Sequence, residues 1–175
     1  MNKLIALLTT LPLVLLGACG SSDDAGHGDA DVAFVQQMVP HHEQAVEMAD
    51  MTERAGASAD VQALAAQIKA AQGPEITTMK EWLDDWDVST DHDGHDGHDM
   101  GDGMMSDADM TELAELSGTA FDRAWLTMMI EHHEGAVEMA TAERGDGRYE
   151  PAVDLAEAIV TTQSAEIDVM EELLG

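Results

Sequence analysis

Cysteine is almost missing from this sequence: Cys19 is the only one. That excludes disulfides and thiolate clusters, so the fold must be held by burial and any soft-metal chemistry falls to histidine and methionine. Basic residues are nearly as scarce. Seven Lys and Arg stand against 36 Asp and Glu, giving a formal net charge of −29, which argues against a nucleic-acid binder because phosphate contacts require cationic side chains. The acidic excess itself has two readings, a solvated surface fitted to high salt or an attraction for cations. No stretch reads convincingly as a strand.

The one long apolar run, Leu4 to Leu16, is shorter than the roughly 20 residues a membrane-spanning helix needs. Lys3 precedes it and Gly17-Ala18 close it, so residues 1–18 are expected to be a secretory signal peptide. Leu16-Gly17-Ala18-Cys19 resembles the bacterial lipobox. That resemblance implies a lipid-modified Cys19 as the new N-terminus, hence an extracytoplasmic lipoprotein of the cell envelope, attached to the membrane by its anchor. The alternative is an ordinary signal peptide with an incidental cysteine. Residues 19–30 lack apolar content and read as a flexible tether.

What the chain does have is a phrase stated twice. His41-His42-Glu43-Gln44-Ala45-Val46-Glu47-Met48-Ala49 returns as His132-His133-Glu134-Gly135-Ala136-Val137-Glu138-Met139-Ala140, 91 positions later, with one difference. A second echo keeps that offset, Gln72-x-x-Glu75-Ile76-x-x-Met79 against Gln163-x-x-Glu166-Ile167-x-x-Met170. The protein is an internal duplication of a two-segment unit.

Helical periodicity predicts a first helix over about Asp31 to Arg54, kinked at Pro40, and a second over about Ala59 to Trp86, bent at Gly73-Pro74. Asp109 is a candidate N-cap for a short helix ending near Ser117-Gly118. A long helix follows over about Thr119 to Arg144, and a last one from Pro151 to Leu174. The expected fold is all-α: a ferritin-like antiparallel four-helix bundle over 31–174, built from two duplicated hairpins. The halves are 31–86 and 109–174, and 87–108 is a linker rich in His, Asp and Met that cannot build a core.

At about 100° per residue, Phe34, Met38, His41, His42, Ala45, Met48 and Ala49 share one stripe, with Glu43 and Glu47 opposite. Trp125, Met129, His132, His133, Ala136, Met139 and Ala140 repeat it, with Glu134 and Glu138 behind. Gln72, Glu75 and Met79, and likewise Gln163, Glu166 and Met170, fall among apolar residues. A carboxylate there is costly unless paired, and its simplest use is to accept one ring N–H of a histidine and orient the other nitrogen for a metal. A single inward histidine or methionine is ordinary core. Four histidines, two glutamates and matched methionines, all duplicated, point instead to metal. Imidazole with thioether and no thiolate suits copper, Cu(I) above all, better than magnesium or calcium.

The candidate ligands are Met38, His41, His42, Met48, Met129, His132, His133 and Met139, with Glu75 and Glu166 supporting them through the imidazoles. The linker offers His92, His95, His98, Met100, Met104 and Met105, either a looser metal-capturing arm or an acidic spacer with incidental histidines. Its alternating Asp and Gly lack the spacing and closing Glu of an EF-hand.

The duplicated Met-x-x-His-His-x5-Met pattern, with Phe121-Asp122 ahead of the second copy and the Gln-x-x-Glu-Ile-x-x-Met echoes, resembles the bacterial family of domains of unknown function number 305. The likeness spans about residues 30–174. It implies a secreted or lipid-anchored ferritin-like bundle, some members of which bind copper and act in metal tolerance. By position the motif lands on Met38, His41, His42 and Met48, and on Met129, His132, His133 and Met139. The expected function is copper sequestration or buffering outside the cytoplasmic membrane rather than catalysis. Two rivals stay open: a ferritin-type di-metal carboxylate oxidase, and an interaction module whose histidines respond to pH.

Overall fold

The computed structural model describes residues 26–89 and 103–175. They form five helices, α1 (Asp29–Ala55), α2 (Ala59–Asp85), α3 (Asp107–Glu115), α4 (Gly118–Asp146) and α5 (Glu150–Leu174). The fold is all-α: four long helices make the bundle, and α3 is a short brace. Cys19, His92, His95, His98, Met100 and nearly all of the expected signal peptide and tether lie outside the described residues.

The hairpins are α1 with α2 and α4 with α5, and they join through α1 against α4. α2 and α5, on the remaining edge, have few close backbone approaches but meet through side chains, which share both core clusters, and through Trp82 and Trp86 packed edge-on against Tyr149. α1 runs unbroken through Pro40 and α2 through Pro74. Both prolines are exposed, so each orphaned carbonyl one turn earlier lies on a face that water reaches, and no break is forced.

Turn chemistry shows the duplication most directly. Asp122 on α4 accepts the Ser58 N–H in the α1–α2 turn at 3.1 and 3.2 Å. Its counterpart Asp31 on α1 accepts the Arg148 and Tyr149 N–H groups in the α4–α5 turn at 2.9 and 2.8 Å, and that of Gly28 at 2.5 Å. Each hairpin turn is thus stapled by an aspartate from the other hairpin. The N-cap of α3 is Ser106 and not Asp109. Ser106 Oγ accepts the Asp109 N–H at 3.1 Å while Asp109 Oδ2 accepts the Ser106 N–H at 3.0 Å, a reciprocal capping box that satisfies two terminal donors at once.

The core is two apolar clusters. One holds Phe34, Val35, Met38, Val39, Met79, Leu83, Ala136, Ala140, Ala156 and Ile159. The other includes Ala45, Met48, Leu64, Ile68, Leu113, Phe121, Trp125, Met129 and Met170. Each large apolar side chain so buried contributes about 1.5–3 kcal/mol. Trp125 also donates its indole N–H to the Met48 carbonyl at 3.0 Å, locking α4 to α1. Along α1 the clusters meet at His41 and His42, and along α4 at His132 and His133.

Candidate metal centre

Two adjacent residues on a helix point about 100° apart, and each histidine pair uses that angle to face two neighbours. His42 turns toward its own hairpin partner, where its Nε2 lies 2.8 Å from Glu75 Oε2. His133 does the same on its own hairpin, 2.8 Å from Glu166 Oε2. The other two turn across the bundle and meet. His41 and His132 lie with ring centroids 3.7 Å apart and planes tilted by 37°. All four rings are buried, none more than 1% exposed, while the exposed Glu43, Glu47, Glu134 and Glu138 face water.

Each carboxylate reaches between solvent and a buried ring: the side chains of Glu75 and Glu166 are 23% and 13% exposed, those of His42 and His133 0%. A carboxylate accepts from Nε2–H and so leaves Nδ1 with the lone pair. The Nδ1 atoms of His42 and His133 are buried without a hydrogen-bond partner, and the His132 ring has only a poorly aligned approach to the His41 backbone. Burial, reinforced by the neighbouring His41, His133 and His42, pushes the His132 pKa well below the ordinary histidine value. A neutral imidazole with an unused lone pair in an apolar interior is the form in which histidine ligates metal.

Gln72 and Gln163 are also buried. Both polar atoms of the Gln72 amide and the Gln163 oxygen have no partner. Each such group costs roughly 1–3 kcal/mol when left unsatisfied, so the middle of the bundle holds a concentration of unspent hydrogen-bonding and ligating capacity.

Because α1 and α4 run antiparallel, the methionines before and after each His pair exchange neighbours. Met38 and Met139 flank the histidines on one side, within or against the first cluster, and Met48 and Met129 on the other. Met139 is only partly buried and lines a cavity of about 310 Å³ between α1 and α4. Two further methionines missing from the sequence-derived ligand set, Met79 and Met170, are fully buried in these same clusters. Their place in the Gln-x-x-Glu-Ile-x-x-Met echo was the signal that could have found them.

Of the linker residues, Met105 is buried in the second cluster. Its backbone exchanges two hydrogen bonds with the Gln44 side chain, at 2.8 and 2.7 Å. Met104 is half-buried. Just before them, Gly103 has φ 74°, and any side chain there would collide with the Glu131 carbonyl. The chain therefore rejoins the bundle directly against α4 beside His132, at a place only glycine can occupy.

Among the described residues, no three His, Cys, Asp or Glu converge as a ready-made metal cluster. The donors gathered around the histidines include thioether sulfur as well as imidazole, the pairing that suits soft metals. Nor is any described helix long and apolar enough to cross a membrane.

The family model described as a domain of unknown function, DUF305, matches residues 31–174. The chain belongs to the DUF305 family. Among solved DUF305 structures, a fragment from Deinococcus radiodurans is 32% identical with a TM-score of 0.78, covering 85% of this chain and 97% of that one. A DUF305 protein from Streptomyces coelicolor is 33% identical with a TM-score of 0.75, covering 83% and 91%. The chain is also similar to CopM, solved in a Cu(II)-bound form (32% identity, TM-score 0.71, 82% and 95% covered) and in a Cu(I)-bound form (29%, 0.68, 82% and 94%). CopM has been solved with silver bound as well. A comparison with curated proteins found no match.

Proposed function

We propose that this DUF305 protein is a lipid-anchored copper-binding protein that sequesters or buffers copper outside the cytoplasmic membrane. The observation that carries the reading is the buried layer of four histidines, in which the Nδ1 atoms of His42 and His133 are held off their glutamates and lack partners, with methionines above and below it. Met38, His41, His42, Met48, Met129, His132, His133 and Met139 supply the donors, and Glu75 and Glu166 hold two of the rings in orientation. Imidazole and thioether without thiolate favour Cu(I). Thioethers need no deprotonation, so they remain ligands where a thiol would be oxidised or protonated. The copper-bound forms of the similar CopM support the choice of metal. The secreted description of the Streptomyces coelicolor relative supports an extracytoplasmic location, with Cys19 as the proposed lipid attachment point.

The test is Cu(I) titration against a chromogenic chelator, comparing the wild type with the double variant His132→Ala/His133→Ala. The variant should lose at least one bound equivalent; unchanged stoichiometry and affinity would remove these residues as ligands.

A further inference from the structure

The α1–α4 seam is built differently at its two ends, although the repeat makes those ends equivalent in sequence. On the Met139 side it holds the cavity of about 310 Å³, lined in part by Phe34, Gln37, Met139 and Ala142. Shifted by the 91-residue offset, these positions are Trp125, Met128, Met48 and Met51. The equivalent place at the other end therefore exchanges an amide and a methyl group for two more thioethers. All four of these residues belong to the second core cluster or pack against it.

That end is also crossed by residues 103–106 as they enter α3. Gly103 lies against the Glu131 carbonyl of α4, Met105 exchanges two backbone hydrogen bonds with the Gln44 side chain of α1, and α3 touches both helices. Gln44 stands one helical turn from Met48, and Glu131 one turn from Met128. Met105 is buried in the same cluster as Met48 and Met51, and Met128 packs against it. The methionines of the repeated motifs divide evenly between the two core clusters, Met48, Met129 and Met170 against Met38, Met79 and Met139. The surplus does not: Met51, Met105, Met110 and Met128 all join the second.

We propose that Met51, Met105 and Met128, with Met48 on the border of the histidine layer, form a second soft-metal site whose donors are thioethers alone. Its ligand is a soft monovalent ion, Cu(I), for which Ag(I) is a redox-inert stand-in; a site without nitrogen or oxygen donors offers nothing to magnesium or calcium. The sulfurs come from three segments, α1, the 103–106 crossing and α4, which converge only in the folded chain. Thioethers carry no proton, so filling the site releases none. The site goes beyond the copper-binding reading above, because Met51, Met105 and Met128 all lie outside the duplicated motifs. Methionine in a core is ordinarily a gap-filler, and the experiment is chosen to separate filling from ligation.

The test is titration of the intact protein with Ag(I), with stoichiometry read by chelator competition and the methionine methyl groups followed by NMR. Leucine keeps the apolar volume and removes the sulfur, so Met51→Leu/Met105→Leu/Met128→Leu spares packing while abolishing ligation. The folded triple variant should bind one Ag(I) equivalent fewer than the wild type. His132→Ala/His133→Ala should keep that equivalent, and silver should still shift the methyl signals of Met51, Met105 and Met128 as a set. Wild-type stoichiometry in the folded triple variant would overturn the site. So would wild-type protein in which silver moves other methionine signals and leaves these three in place, a reading that needs no variant to fold. A His132→Ala/His133→Ala protein that binds as many equivalents as the wild type would instead overturn the histidine reading and leave this site standing.

Discussion

His41 and His132, 91 positions apart in the chain, lie with ring centroids 3.7 Å apart where α1 crosses α4. The two copies of the motif are therefore brought side by side in space. Their inward histidines meet in one layer, so binding should depend on both halves at once. His41→Ala and His132→Ala are expected to weaken Cu(I) binding about as much singly as together, because residues that share a site are strongly non-additive. Chelator competition on the two single variants and the double variant checks this; fully additive losses would place the rings in separate sites.

The same layer should be a liability in the metal-free protein. His132 is buried with its ring poorly satisfied, approached only by the His41 backbone, and replacing a poorly satisfied polar group by an apolar one of similar size is neutral to stabilising. His132→Leu is expected to raise the stability of the metal-free protein by about 1–2 kcal/mol while impairing copper binding. Urea unfolding with and without metal measures both, and a destabilised metal-free variant would show that the ring has an unrecognised structural partner.

A buried acid pair gives the bundle a pH dependence unrelated to the histidines. Asp31 and Glu143 are both buried. Burial first, then the neighbouring Asp31 carboxyl and the charge of Asp146, push the Glu143 pKa from 4.5 to about 8, and neither Glu143 oxygen has a well-formed hydrogen bond to relieve it. Burial works to raise Asp31 too, but N–H groups of Tyr149, Gly28 and Arg148, with help from Glu143, outweigh it and hold Asp31 below its ordinary value. A raised carboxyl pKa means the folded state binds the extra proton. Its contribution is full below about pH 4.5 and is lost as pH rises toward about 8. Glu143→Gln should flatten that decline. Denaturation midpoints at several pH values across this window provide the measurement, and parallel curves for variant and wild type would count against the shared proton. The other half supplies an internal comparison, since Thr52 stands at the position corresponding to Glu143 and donates its hydroxyl to the Ala49 carbonyl at 2.8 Å.

Gly103 should be irreplaceable for local reasons. With φ 74° and the Glu131 carbonyl in the path of any Cβ, Gly103→Ala is expected to cost about 1–2 kcal/mol. Thermal melting would show it. A neutral substitution would mean that the segment ahead of α3 can lift away from α4 without loss.

Much of the site was legible because it is written twice and lies on helices. The 3.6-residue period alone turned all four histidines inward and Glu43, Glu47, Glu134 and Glu138 outward, and the structure has them so. The same periodicity put Glu75 and Glu166 among apolar residues, where they bond His42 and His133. Pro40 and Pro74 lie on exposed faces and interrupt neither helix. Periodicity turned Met79 and Met170 inward as well, but which end of the core each enters depends on how one hairpin seats on the other.

The sequence by itself determined the helices, their inward faces and the doubling of the unit, because periodicity and capping are local and need no partner. Only the tertiary structure decided that His41 and His132 meet, that Asp31 lies beside Glu143, and that an aspartate of each hairpin binds the turn of the other. Those depend on the register and angle between hairpins, which are settled by packing between residues far apart in the chain and leave no periodic mark along it.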